Sequence, residues 1–290
     1  MFVNPIGYLL FAISLSAKVS YKSFSNYSSK KFLKTTGDFH LCNLLMMIFC
    51  FVMFAVLAIK NGLSVYSLVL GIVFGFAMLI NNTFGMLAFA TGPMNITDLI
   101  VTASMLMPAV SGAILYGEEF SVPKLISTLF LIFFINLCVK AEKGGAKINK
   151  KWLIFTLIAF VSQGAIGVMQ KIHQSNPEHK DELFGFLAVA FLASLISSLI
   201  VTAKKKPEVK LDKARLAIIG VQGVCMFLMH FLNLKLAGFG PSQMFFPISA
   251  GSGIILVLLI SVFIFKEKLT KRQVVGLIGG IASIICIAAF

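Results

Sequence analysis

Long apolar runs broken by short polar links set the pattern of this chain. Ten segments qualify as spans, near residues 2–21, 39–59, 65–90, 94–116, 121–140, 152–173, 183–203, 214–236, 241–265 and 271–290. Each holds about 20 mostly apolar residues, enough to cross a hydrocarbon core of roughly 30 Å as a helix. Runs such as Leu44 to Ile59 are continuously apolar, whereas the strands of a membrane barrel alternate. The pattern therefore predicts an all-α membrane protein with ten transmembrane helices. The first run, Phe2 to Val19, has no Lys or Arg before it and carries Lys18, so it reads as a retained helix and not as a signal peptide.

Two links carry the same pair, Gly92-Pro93 and Gly240-Pro241, and this points to an internal repeat. A shift of 148 aligns Gly75 with Gly223, Met78 with Met226, Asn82 with His230 and Asn95 with Gln243. A slip of one residue then aligns Glu118 with Glu267 and Ser121 with Thr270. The expected organisation is two five-helix repeats, residues 1–145 and 146–290. An odd number of spans in each makes the second enter the membrane from the opposite face, an inverted-topology repeat of the kind transporters use. Duplication that merely enlarged a scaffold is the alternative.

Composition agrees with a lipid environment: 58% of residues are hydrophobic, 12% are charged, and 29 are Phe. The net charge of +14 does not indicate nucleic acid, because the basic residues cluster in links such as Lys204-Lys205-Lys206. Of the 25 Lys and Arg, 19 fall in links after odd-numbered segments, which by the positive-inside rule places both termini outside a plasma membrane. The five cysteines are scattered singly, with neither metal-ligand nor disulfide spacing. No metal or cofactor is expected.

The glycine-proline links, and above all the paired turns Gly117-Glu118-Glu119-Phe120-Ser121 and Lys266-Glu267-Lys268-Leu269-Thr270 with its continuation to Gly276, resemble the drug/metabolite transporter superfamily, EamA type. The resemblance covers the whole chain. The second turn is the more specific; the tryptophan-glycine pair frequent in the family's first helix is replaced by Leu15-Ser16. The resemblance implies alternating access, with segments 1, 3, 4, 6, 8 and 9 around a central cavity and segments 5 and 10 at the periphery. It also implies cytoplasmic termini, opposite to the charge count.

Polar groups at mid-membrane are costly and tend to face a cavity or a partner, so their spacing carries information. In segment 8, Gln222, Met226, His230 and Asn233 fall on one helical stripe, and Gly75, Met78, Asn82 and Gly85 form its counterpart in segment 3. Asn82 and His230 are the leading substrate-binding pair, expected at equivalent depths across one cavity; interhelical hydrogen bonding is the alternative. Asn81 and Asn82 cannot face the same way, and one of the two is expected to face a neighbouring helix. Gln163 and Gln170 in segment 6, with Ser14 and Lys18 in segment 1, are further lining candidates. Lys18 has snorkelling as its alternative, and Gly164 and Gly167 fit close packing. Asn95 and Asp98 read as a helix cap or a substrate contact, and Gln243 is the repeat mate of Asn95. Glu118 and Glu267 are assigned structure.

No nucleotide-binding loop, nucleophile motif or pair of embedded carboxylates is present, so the chain is not expected to be an enzyme. The expected function is secondary transport of a small polar or amphipathic metabolite, with lipid as solvent and protons as a candidate coupling ion. A non-transporting membrane protein, either a lipid-handling enzyme or a scaffold, is the reading from a different class.

Overall fold

The computed structural model describes residues 5–33, 35–60, 62–91, 94–119, 121–138, 149–204, 207–263 and 270–290. These residues are all-helical: α1 (Pro5–Lys31), α2 (Thr36–Ala58), α3 (Val65–Thr91), α4 (Met94–Ala103), α5 (Leu106–Tyr116), α6 (Val122–Cys138), α7 (Lys150–Ser175), α8 (Leu183–Lys204), α9 (Lys213–Ala237), α10 (Ser242–Phe263) and α11 (Lys271–Ala289), with a 3₁₀ turn at Lys180–Glu182. Six of the described helices are long and apolar enough to cross a membrane. Apolar side chains such as Phe130 and Phe133 on α6 and Ile278 and Ile285 on α11 are exposed, as lipid-facing residues are.

Two of the sequence expectations change. The first helix runs ten residues past its predicted end at 21, to Lys31. Tertiary contact holds the extension: Gln222 Nε2 on α9 donates to Ser28 Oγ at 2.6 Å, and the Arg215 guanidinium lies over the Phe32 ring. The predicted helix 94–116 is two helices, α4 and α5, parted at Ser104-Met105. Pro108 accounts for the break, because it cannot donate to the carbonyl of Ser104 and its ring crowds that position. Met107 N–H takes the Ser104 carbonyl instead, at 2.9 Å.

Helix starts are closed by local signals. Thr35 and Asp38 form a capping box on α2, Thr270 and Gln273 another on α11, and the Asp212 side chain caps α9. Pro241 stands at the start of α10, where its carbonyl accepts from Met244 and Phe245, and its missing N–H costs nothing there. Its expected counterpart, Pro93, lies outside the described residues together with Gly92. α4 already includes Met94, so Asn95 sits inside the helix and not at the cap.

The chain forms two compact units, and each draws on both halves of the sequence. The first comprises the described residues within 80–171 and 239–290; the second comprises those within 5–79 and 172–238. In the second unit α2 packs on α8 and α9, and α1 packs on α9. Ser64, just after α2, bonds Glu182, just before α8, while Asp38 at the start of α2 bonds Glu208 and Val209 beyond the end of α8. α2 and α8 are therefore antiparallel. The first turn of α3 meets the last turn of α7 through Ser67 and His173, and Gly238 at the end of α9 packs on Gln174, so α3 and α9 also run oppositely.

In the first unit α6 packs on α11 and α5 on α10. Arg272 at the start of α11 reaches the carbonyl of Asn136 near the end of α6, and Glu118 just after α5 reaches the first amide of α10. Both pairs are antiparallel.

Close approach depends on glycine at one position above others. A Cβ on Gly75 of α3 would collide with the carbonyl oxygen of Ala190 on α8, and the Gly75 carbonyl already accepts from Ser194 Oγ at 2.9 Å. At Gly279 the obstacle is the Phe134 ring, a side chain that can turn away. Gly75→Val should therefore cost about 3 kcal/mol and Gly279→Val about 1 kcal/mol. Unfolding in detergent ranks the two, and equal losses would contradict this packing.

Candidate functional site

In the second unit the stripe on α9 is pinned at both ends. Gln222, 2% exposed, donates to Ser28 Oγ on α1, and Ser14 Oγ on α1 donates to Asn233 Oδ1 at 2.9 Å. Between them Met226 is buried and His230 is half-buried. The imidazole of His230 sits edge-on to the Phe191 ring on α8, with centroids 5.2 Å apart and planes at 89°. Its ring nitrogens make no hydrogen bond among the described residues, so a donor-acceptor pair stays open on a helix whose neighbouring polar groups are satisfied. Phe54, Phe191 and Phe227 pack beside it as an aromatic cluster. Lys18 is half-buried on α1.

The first unit holds the other candidates. Asn81 Nδ2 on α3 donates to Gln163 Oε1 on α7 at 2.8 Å, so of the adjacent asparagines it is Asn81 that meets a neighbouring helix. Its neighbour Asn82 is half-buried, with no hydrogen bond among the described residues, and Gln170 is buried, also without one. Gly164 approaches Met107 and Gly167 approaches Pro108, which fits a packing role for both glycines. The side chains of Asn95 and Asp98 lie outside the described residues.

A charged group that the sequence reading did not single out lies at the end of the same helix. Lys171 is 5% exposed inside α7 and pairs with Glu118 at 2.5 Å. Its Nζ also donates to the Gly240 carbonyl at 3.3 Å, and Glu118 Oε2 accepts from the Ser242 amide at 2.7 Å. Gln243 Oε1 accepts from the Ser121 amide at 2.9 Å, while its Nε2 is buried without a partner among the described residues. Glu118 thus closes the first turn of α10, the structural role expected of it. The sequence signal was available in the paired turns; what was missing was Lys171, whose partner lies 53 positions away in the chain.

Glu182 forms a matching closure in the second unit. Its Oε2 accepts from the Ser64 N–H at 3.0 Å and the Ser64 hydroxyl at 2.5 Å, and its Oε1 faces His179 Nδ1 at 3.1 Å.

Residues 150–289 match the EamA-like transporter family. The match places residues 150–289, the second half of the chain, in the drug/metabolite transporter superfamily. A solved crystal structure superposes on this chain with a TM-score of 0.79 at 13% identity, over 99% of this chain and 97% of the other, a likeness of fold. No curated protein matches the chain. The family match and the apolar helices together support a multi-pass membrane protein.

The acid range tests the Glu182 closure. Burial would raise its pKa, but hydrogen bonds from Ser64, Ser67 and His179 outweigh that and lower it from 4.5 to about 2. A depressed folded pKa stabilises the protein above the ordinary carboxylate range, and that stabilisation is lost as pH falls from 4.5 toward 2. The melting temperature in detergent should drop across this window in the wild type and less steeply in Glu182→Gln. Parallel curves would show that the closure contributes nothing.

Proposed function

We propose that this transporter moves a small polar or amphipathic metabolite across the plasma membrane by alternating access of two inverted five-helix repeats, residues 1–145 and 146–290. The observation that carries the reading is His230, unpaired between pinned neighbours on the α9 stripe of a chain in a transporter family. Its repeat mate Asn82 is likewise unpaired among the described residues. In this reading each of the two contacts substrate, and Gln170 on α7 is a further candidate. Ser14, Asn233, Gln222 and Gln163 set the position of the helices through their hydrogen bonds, and Lys18, Gln243, Asn95 and Asp98 stand as secondary candidates.

The repeat reading draws support from directions within the units. The repeat mates α2 and α8, α3 and α9, α5 and α10, and α6 and α11 each run antiparallel, as inversion requires. Gly75 and Gly223, mates under the shift of 148, each offer a carbonyl to a neighbouring helix: Gly75 accepts from Ser194 on α8 and Gly223 faces Cys50 Sγ on α2. Links also pair by parity, odd with odd and even with even. The charge of the links places both termini outside. Lacking a nucleotide-binding motif, the protein draws on an ion gradient, exchange or the substrate gradient itself.

A thermal-shift screen of metabolite classes followed by flux into proteoliposomes tests the function. His230→Ala should raise the half-saturating substrate concentration about tenfold, the cost of a lost buried hydrogen bond, and His230→Asn should raise it less. Flux at wild-type levels and affinity in His230→Ala would remove the site. Absence of flux for every stabilising compound would remove the transport reading.

A further inference from the structure

We propose that His173 is a proton-binding site whose loading releases Gln174 from the carbonyl of Lys180 and so loosens the link between α7 and α8. The latch stands on hydrogen-bond geometry; its use for coupling a proton gradient rests on the transport reading above.

The donor and acceptor roles follow from one fixed point. Gln174 Nε2 lies 3.1 Å from the Lys180 carbonyl, which can only accept, so the amide nitrogen faces it. The same nitrogen lies 3.1 Å from His173 Nδ1, so its second hydrogen points at that ring atom. Nδ1 must then carry the lone pair, and the ring proton sits on Nε2, 3.3 Å from Ser67 Oγ on α3. The imidazole is neutral, and both its nitrogens are engaged.

A proton added to Nδ1 would set an N–H against an N–H. No covalent bond breaks, but the amide must turn so that its oxygen accepts from the imidazolium. Turned, it offers no hydrogen to Lys180. Gly238 at the end of α9 lines the space for this motion, since a Cβ there would stand 3.2 Å from the Cβ of Gln174 and 3.4 Å from its Oε1.

His173 is fully buried, whereas the side chains of Glu182 and His179 are 16% and 24% exposed. Glu182 accepts from Ser67, whose hydroxyl meets His173. Every element packed on the imidazole is accounted for. α3 presents Ser67 and Tyr66, whose ring centroid is 6.5 Å away. The link presents Glu182 and His179 within electrostatic reach and the Lys180 backbone through Gln174, and α8 presents the Phe186 ring at 4.3 Å.

Histidine-labelled NMR of the full chain in nanodiscs tests the proposal, with His173→Gln identifying the signal. The expected spectrum at neutral pH is the neutral ring with its proton on Nε2. As that signal titrates, hydrogen exchange in residues 176–182 should quicken about fivefold, the loss of one net hydrogen bond. In Gln174→Ala the signal should still titrate while the exchange rate no longer follows it. A proton on Nδ1 at neutral pH, or an exchange step that persists in Gln174→Ala, would overturn the latch. Neither readout involves flux, so failed transport in proteoliposomes would strike the transport reading alone.

Discussion

Backbone amides at the start of a helix have no partner within it, and near lipid water does not readily supply one. This protein answers that constraint repeatedly with carboxylates that reach across from another link. Asp38 takes the amides of Glu208 and Val209 at 2.8 and 2.7 Å while also closing its own helix start through Thr35. Glu182 takes the amide of Ser64, and Glu118 takes that of Ser242. Each joins residues more than a hundred positions apart; those of Glu182 and Glu118 reach amides at the starts of α3 and α10, and that of Asp38 holds the link before α9. The antiparallel pairing of α2 with α8, and of α5 with α10, follows from these closures.

Much of this was legible in the sequence because the signals were local or periodic. Apolar runs placed helices such as 65–90 and 183–203 within a residue or so of α3 and α8, since hydrocarbon thickness sets their length. The end of α1 was not legible, because polar residues as far as Lys31 are held helical by contacts with α9, which no local pattern records. The break between α4 and α5 could have been read from Pro108, but a span long enough to cross lipid outweighed a single proline. The acidic turn at Glu118 marked a link correctly. The burial of Lys171 beside it was hidden, because a lysine near a helix end ordinarily reaches solvent.

The candidate site shows the same division. Helical spacing put Gln222, His230 and Asn233 on one stripe, and the structure sorts that stripe by partner: its ends are bonded to α1 and its centre is not. Spacing cannot make that distinction, because it depends on where Ser14 and Ser28 fall on another helix. The same sorting separates Asn81, bonded to Gln163, from Asn82. A polar side chain bound to its neighbour holds helices together, whereas one left open in a low-dielectric setting is costly unless a ligand or water meets it. His230 and Asn82 belong to the second kind, which is why the proposed function gives them, and not their bonded neighbours, to the substrate.

Inversion is the claim on which the account turns, since it makes the closures at Asp38 and Glu182 counterparts at opposite faces of the membrane. They lie near the two ends of α2, whose 23 residues span about 35 Å, a bilayer's width. The direct measurement labels single cysteines with an impermeant maleimide in intact cells, one at Lys60→Cys beside the Glu182 closure and one at Lys210→Cys beside the Asp38 closure. The account predicts that Lys60→Cys reacts from outside and Lys210→Cys only after permeabilisation. Reaction of both from the same face would contradict it.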